Sequence, residues 1–244
     1  MRIALIGYGK MGREIEAVAK AAGHEITLCI SSENKEELTL KNLMKCDVAI
    51  EFTAPQSAFH NIMKCFEAGI PVVCGSTGWY DKLEEVRQFC ITKNQAFLHA
   101  SNFSIGVNVF FEMNKMLASL MNKYPVYDVS IEEIHHLQKL DKPSGTGLTL
   151  ANDIVKFNDQ KTTIISADAS DITPGDLTIL SVREPEVVGT HSVKYQSETD
   201  EIIITHKARS RKGFAAGALL AAEWLVGHKG FYEMRDMLGL KFGE

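Results

Sequence analysis

No apolar run in this chain is long enough to span a membrane, and no charged leader with an apolar stretch and a cleavage site precedes the first strand. Membrane insertion and secretory export are therefore not expected, and a cytoplasmic location is. No excess of positive charge is present: the 244 residues carry a formal net charge of −5, which gives no reason to expect nucleic acid or a membrane surface as partner. No Cys-x-x-Cys pair occurs among Cys29, Cys46, Cys65, Cys74 and Cys90. Their odd number and scattered spacing argue against a disulfide framework and against structural zinc, and no metal is expected. They read as small hydrophobes of a reducing compartment. Internal repeats, low-complexity tracts and flexible linkers are absent too. The length then allows one large domain or two small ones.

What is present begins with a β-rich apolar run over 2–7 and the turn Gly7-Tyr8-Gly9-Lys10-Met11-Gly12-Arg13. A helical pattern over about 11–22 and a strand over 25–30 follow. Strand, glycine turn, helix, strand is the context in which Gly-x-Gly-x-x-Gly means dinucleotide binding. Gly7 permits the tight turn, Gly9 leaves room for a pyrophosphate, and Gly12 lets the helix approach the strand. Lys10 and Arg13 add positive charge at the phosphate end. The alternative is a glycine-rich turn with no ligand. The second strand ends in Cys29-Ile30-Ser31-Ser32-Glu33-Asn34-Lys35. A carboxylate at this tip would hold the ribose 2′-hydroxyl of NADH. Ser31 and Ser32, helped by Lys35, suit a 2′-phosphate and lean towards NADPH, whereas a shift of one residue would bring Glu33 to the tip.

Strands predicted at 47–51, 71–74 and 96–100 alternate with helices reaching from Pro55 to about 68 and over 79–93. This implies a parallel doubly wound sheet. The polar turns after its strands, at 7–12, 31–35, 52–55, 75–78 and 101–104, would line one crevice beyond the strand ends.

After residue 104 the pattern changes. A long helix is expected over 106–122, with a stripe of Met113, Met116, Leu117, Leu120 and Met121 that reads as core or subunit packing. Strands follow at about 126–136, 163–167, 177–183, 187–196 and 201–208, with a helix over about 147–157. A mixed sheet with helices on one side is the economical arrangement, and self-association would cover its other face. An apolar helix over 215–226 either rejoins the first domain or closes the second. The expected fold class is α/β: an N-terminal Rossmann-like doubly wound parallel sheet plus a smaller α+β domain with a mixed open sheet. The expected domains are 1–104 with 211–244, for the dinucleotide, and 105–210, for substrate and oligomerisation.

The densest chemistry lies in Glu132-Glu133-Ile134-His135-His136-Leu137-Gln138-Lys139-Leu140-Asp141-Lys142-Pro143-Ser144-Gly145-Thr146. If the strand ran regularly to its end, His135 and Lys139 would share a face and His136 would lie on the other. His136 would reach the site only if the strand ended or bulged there, or from the rim. Small hydroxyl residues and free N–H groups at the following helix start suit a carboxylate or phosphate. The stretch is either a site for an anionic substrate or a strand end with solvated side chains followed by a capped helix.

These blocks together resemble the 4-hydroxy-tetrahydrodipicolinate reductase (dihydrodipicolinate reductase) family of bacterial lysine and diaminopimelate biosynthesis. The resemblance spans essentially the whole chain. It rests on Gly9-Lys10-Met11-Gly12-Arg13, Gly75-Ser76-Thr77-Gly78, Asn102-Phe103-Ser104-Ile105-Gly106-Val107-Asn108, Glu133-Ile134-His135-His136 with Lys139 and Pro143-Ser144-Gly145-Thr146, and Thr205-His206-Lys207-Ala208 with Ser210-Arg211. It implies reduction of a cyclic imine dicarboxylate by NADPH and/or NADH in a homotetramer. It casts His135 as proton donor and Lys139 as the second catalytic cation. His136, Gly145 and Thr146 hold substrate in that reading, and the hydroxyl of Ser144 helps to hold a carboxylate. Gly75, Ser76, Thr77, Ala100, Ser101, Asn102 and Phe103 wall the nicotinamide side, and Arg211 and Phe214 return to the cofactor.

The chain departs from the family pattern at several points. Its glycine loop is Gly-x-Gly-x-x-Gly where many relatives have Gly-x-x-Gly-x-x-Gly. Ser76 stands in the first threonine position of Gly-Thr-Thr-Gly, and Gln138 replaces a common basic residue. The chain is also short for the family, which implies trimmed loops. Two other readings share the first half: a two-domain dehydrogenase of a small amino or keto acid, and a non-catalytic dinucleotide sensor. The sensor would need a basic nucleic-acid-binding element, which is missing.

Overall fold

Ile3 and Leu5 point to one side of the first strand and Ala4 and Ile6 to the other, and all four are buried. A strand apolar on both faces needs cover on both faces. In the computed structural model, which describes residues 1–240, that cover comes from helices on each side of a parallel sheet. The chain forms two units, Met1–Ile105 with Arg211–Gly239, and Gly106–Ser210.

In chain order the first unit contributes β1 (Arg2–Ile6), α1 (Lys10–Ala21), β2 (Glu25–Ile30), α2 (Leu40–Leu43), β3 (Val48–Glu51), α3 (Pro55–Glu67), β4 (Val72–Cys74), α4 (Leu83–Thr92) and β5 (Ala96–His99). The second contributes most of α5 (Ile105–Met121), then β6 (Asp128–His135), α6 (Gly145–Phe157), β7 (Thr163–Ser166), β8 (Asp176–Arg183), β9 (Gly189–Gln196) and β10 (Glu201–Ala208). The chain ends in the first unit with α7 (Lys212–Leu225), β11 (Gly230–Glu233) and α8 (Met234–Met237). The sequence reading missed α2, β11 and α8. Residues 241–244 of the first expected domain lie outside the described residues.

The first sheet runs β11-β5-β4-β3-β1-β2, with all pairs parallel. The chain winds outward from β1 to β2, then returns to β3 on the other side of β1. That reversal is where such sheets open a ligand crevice. Helices α3 and α4 cover one face and α1 and α7 the other. The small side chains of α7 allow a close approach: a Cβ on Gly217 would sit 1.8 Å from the carbonyl oxygen of Phe103. Four of the five cysteines are buried and all five are free. Burial pushes the thiols of Cys46 and Cys90 up to about 11, so both stay neutral hydrophobes near neutral pH.

The second sheet runs β10-β9-β6-β8-β7 and is mixed. β6 pairs antiparallel with β9 and parallel with β8. One face packs Val129, Ile131, Leu177, Ile179, Val193 and Tyr195 against α5 and α6. The methionine stripe of α5 divides: Met121 is buried and Leu117 packs on this core, whereas Met113, Met116 and Leu120 are exposed. Among the described residues of this unit, α5 and α6 both pack on that one core, and Leu180 and Ile203 on the sheet's other face are exposed. Among the described residues, no helix is long and apolar enough to cross a membrane.

Candidate active site

The first unit carries a cradle at the end of β1. Gly7 has φ +100°, and a Cβ there would lie 2.1 Å from the Phe52 carbonyl oxygen. Gly12 is excluded from other identities by Gly7 itself, whose carbonyl oxygen is 2.2 Å from where a Cβ would be. Gly9 differs. It is the N-cap of α1, is exposed, has ordinary extended backbone, and a Cβ on it would meet no protein atom within 4 Å. No side chain caps this helix start. An uncapped helix N-terminus with bare backbone in front of it fits a phosphate group. Lys10 is exposed and Met11 half-buried beside it. The Tyr8 ring lies under the Arg13 guanidinium at 5.1 Å, and its hydroxyl bonds Glu16.

Two cavities flank the cradle. One, of about 680 Å³, is lined among others by Gly7, Tyr8, Gly9, Ser31, Ser32 and Lys35. Across from that tip, α3 contributes His60 and Lys64. β2 stops at Ile30, so the tip is Ser31-Ser32; Glu33 is exposed and does not line this cavity. Asn34 shapes the turn, accepting from the Ser31 amide at 2.7 Å and donating to the Cys29 carbonyl at 2.9 Å. The second cavity, about 460 Å³, joins Gly9–Gly12 to Phe52, Thr53 and Gly75–Thr77. Together they open along one edge of one sheet on either side of the glycine turn, and the residues fit a dinucleotide.

Below this edge lies Glu51, fully buried at the end of β3. It accepts from the Thr53 amide at 3.1 Å, from the Thr53 hydroxyl, from Asn61 at 3.3 Å and from the Cys74 thiol at 3.2 Å. Ala100, Ser101, Asn102 and Phe103 follow β5 and line neither of the two cavities. Phe103 is 2% exposed and backs Phe52, with ring centroids 5.6 Å apart. Any ligand contact at Phe103 therefore comes from its backbone, whereas Ser101 is exposed and Asn102 half-buried. Arg211 is the N-cap of α7 and likewise lines neither cavity.

In the second unit, β6 alternates strictly, burying Val129, Ile131, Glu133 and His135. The face that is apolar at one end of the strand thus turns ionisable at the other. The strand ends at His135, so the expectation that Lys139 shares a strand face with it does not hold. Lys139 sits beyond a turn in which its amide donates to the His136 carbonyl at 3.1 Å. His136 is the first residue off the strand and is half-buried, no longer bound by the alternation that would point it away. The Lys139 ammonium pairs with Asp141 at 2.9 Å. Burial pulls the Asp141 carboxyl up, but the bond and charge of Lys139 outweigh it and hold the group below its ordinary value.

α6 begins at Gly145, two residues before the sequence reading placed it, with Ser144 as N-cap accepting from the Gly147 amide at 3.0 Å. Ser144 is 2% exposed, and its hydroxyl, expected to help hold a carboxylate, is engaged by protein atoms in this structure. Its amide donates to Glu133 at 2.9 Å and its hydroxyl donates to the same carboxylate. Gly145 is exposed with open space around it, and Thr146 is half-buried beside it. The open part of the helix start is therefore Gly145-Thr146, with Ser144 tied to Glu133 beneath it.

The partners of Glu133 come from neighbouring strands and were not found in the sequence. Ser181 of β8 donates to it at 2.8 Å, and His191 of β9 stands opposite it in register, 3.7 Å away. Burial pushes Glu133 up, but the bonds from Ser144 and Ser181, with the charge of His135, hold it below its ordinary value. Burial lowers His135, Lys139 and Arg183 lower it further, and Glu133 opposes them without reversing the direction. Burial, then the charge of His135, depresses His191 to about 4. Glu133, His135 and His191 each offer a ligand atom within 4.8 Å of the others. Serine donors already occupy the carboxylate, and His191 faces the Ser144 hydroxyl at 3.1 Å. The one sequence signal for this cluster is a glutamate at an inward position of an otherwise apolar strand face.

A glycine cradle at the reversal point of a parallel sheet, with two flanking cavities, defines a dinucleotide-binding protein. Residues 1–103 match the family described as dihydrodipicolinate reductase, N-terminus, and residues 106–238 match dihydrodipicolinate reductase, C-terminus. The chain belongs to the dihydrodipicolinate reductase family. It is 46% identical over 238 residues to the 4-hydroxy-tetrahydrodipicolinate reductase of Christiangramia forsetii, covering 98% of each chain. It is 33% identical to that of Neisseria meningitidis serogroup B, over 92% of this chain and 84% of the relative. In fold it is similar to dipicolinate-bound dihydrodipicolinate reductase from Paenisporosarcina sp. TG-14, with a TM-score of 0.76 at 24% identity, covering 97% of this chain and 98% of that one.

Proposed function

We propose that this chain reduces 4-hydroxy-tetrahydrodipicolinate, the cyclic imine dicarboxylate named for its relatives, with His135 as proton donor and Lys139 as the fixed cation. The family reaction belongs to lysine and diaminopimelate biosynthesis and uses NADH or NADPH. The observation that carries the residue assignment is one cluster in the second unit: His135 at the end of β6, Lys139 in the next turn, and the open Gly145-Thr146 helix start, held to β6 through Ser144 and Glu133.

When bound, the nicotinamide supplies the hydride. The chain's own residues hold and protonate the ring. The α6 start receives one carboxylate through its amides. Lys139 exchanges Asp141 for the second carboxylate or for charge developing on the ring. His135 holds the proton that the reduced ring takes up. Its proton affinity is low in the free protein, and a dianionic substrate beside it raises that affinity as it binds. His136 contributes from the edge of the same turn.

Ser32 and Lys35 at the β2 tip, with His60 and Lys64 across the cavity, favour NADPH by offering hydroxyl and positive charge to a 2′-phosphate. The face of the second sheet away from α5 and α6 supports a homotetramer, with Leu180 and Ile203 buried between copies in a cytoplasmic enzyme. Oxidation of NADPH and NADH with freshly generated substrate tests the activity. No turnover with either nucleotide would refute it. Light scattering tests the assembly, and a monomer at micromolar concentration would refute that part.

A further inference from the structure

The 136–143 segment joins β6 to α6 without helix or strand of its own and carries Lys139. A free segment of that kind would place an ammonium poorly, because ordering it costs conformational entropy at every residue. Two charged side chains grip it, the largely buried Arg183 and the fully buried Glu133. Arg183 is the last residue of β8 and stands in register with His135. Its Nε donates to the Lys139 carbonyl at 3.2 Å and one terminal nitrogen donates to the Asp141 carbonyl at 2.6 Å. The other terminal nitrogen donates to the Val182 carbonyl of its own strand at 2.9 Å. The next residue closes the same corner, the Glu184 amide donating to the His135 carbonyl at 2.8 Å. At the far end, Glu133 accepts both the amide and the hydroxyl of Ser144, at the point where the segment enters α6.

We propose that Arg183 and Glu133 are positioning residues for the reaction: Arg183 fixes the segment at Lys139 and Asp141, Glu133 fixes it at Ser144, and together they set the distance between the acid, the cation and the anion cradle. This rests on the assignment of Lys139 and the Gly145-Thr146 turn made above.

The alternative role for Arg183 is to grip a substrate carboxylate itself. Geometry argues against it. The side chain is 11% exposed, and all three guanidinium nitrogens already donate to backbone carbonyls. A planar fork suits that task, since it reaches carbonyls on two sides from one fixed plane, which an ammonium cannot do. It also lies 4.0 Å from a Glu133 oxygen, so the two grips also steady each other.

A pair of double-mutant cycles tests the proposal, with steady-state constants for the reductase reaction and a thermal unfolding curve for every variant. Arg183→Gln, whose amide can keep one of the two bonds to the segment, lowers kcat/KM by about tenfold, the scale of one lost hydrogen bond from a charged donor. Arg183→Lys recovers part of that loss, and it replaces the glutamine in the cycle if Arg183→Gln does not fold. In a Lys139→Ala background the Arg183 substitution costs less than about twofold, because the group it places is gone. Likewise Glu133→Gln and Ser144→Ala together are no worse than the poorer of the two alone. Losses that multiply in either cycle overturn the corresponding half of the proposal, since they mean Arg183 or Glu133 acts by another route. Wild-type constants in Lys139→Ala alone would instead overturn the assignment of Lys139, so the two failures are told apart.

Discussion

Thr53 and Ser76 bond each other in both directions. The Thr53 amide donates to Ser76 Oγ at 2.7 Å, and the Ser76 hydroxyl donates to the Thr53 carbonyl at 2.9 Å. This joins the loops after β3 and β4, both of which line the second cavity beside the glycine cradle. Ser76→Ala removes both bonds. The expected result is about tenfold weaker cofactor binding, from two hydrogen bonds of ordinary strength. Titration of the nucleotide against protein fluorescence measures it, and unchanged affinity counts against a shared cofactor wall.

The three glycines of the cradle separate by what they touch. Gly12→Ala drives a methyl into the Gly7 carbonyl and lowers stability by about 2 kcal/mol through overpacking. Gly9→Ala meets no protein atom and leaves the thermal unfolding midpoint close to wild type. It raises the cofactor dissociation constant at least tenfold, because the methyl occupies the approach to the α1 start. Equal effects of the two substitutions on unfolding would contradict this.

Cofactor choice is expected to follow the β2 tip. Lys35→Ala lowers kcat/KM with NADPH by about tenfold, the scale of one charge-assisted contact, and leaves NADH within about twofold. Equal loss with both nucleotides would place Lys35 outside the 2′-phosphate contact.

A proton donor works only while protonated. The His135 pKa lies below 6.5 in the free protein, depressed by burial and then by Lys139 and Arg183 against the pull of Glu133. kcat/KM therefore falls as pH rises through a value under 6.5, and kcat falls at higher pH, because the bound dianion favours the protonated ring. His135→Ala lowers kcat about a hundredfold or more and abolishes that limb. A limb unmoved by the substitution assigns the proton elsewhere.

Most strands of both sheets were legible because each is a short apolar run closed by a glycine or polar turn. β11 was not: Gly230-Phe231-Tyr232-Glu233 is half-buried throughout and earns its strand pairing only from β5. Within 132–146 the residue types were readable but their partners were not. Nothing in the sequence says that the Ser144 hydroxyl will meet Glu133 rather than a ligand, since that depends on how far β6 runs before the turn. Ser181, Arg183 and His191 reach the same cluster only through strand register, a relation between residues roughly fifty positions apart that local pattern does not carry.

That cluster also predicts acid lability. His191 is about 4 in the folded chain against an ordinary 6.5, so the unfolded state binds the proton more tightly. Its contribution is complete above pH 6.5 and is lost as pH falls towards 4, by about 3 kcal/mol. Burial lowers His135 and His206 as well, and they act in the same direction. Denaturant unfolding across this range measures the slope. His191→Gln makes it shallower, and an unchanged slope removes His191 from the account.

The first unit is discontinuous, and this sets an order of events during synthesis. β5 stays an open edge until β11, more than a hundred residues later, has left the ribosome, and α1 waits as long for α7 to cover its side of the sheet. The intervening stretch, from α5 to β10, holds all of its own strand partners and can fold while the earlier sheet is still half-dressed. A released chain truncated after residue 210 is therefore expected to protect the α5–β10 unit from protease while the earlier-made residues stay sensitive.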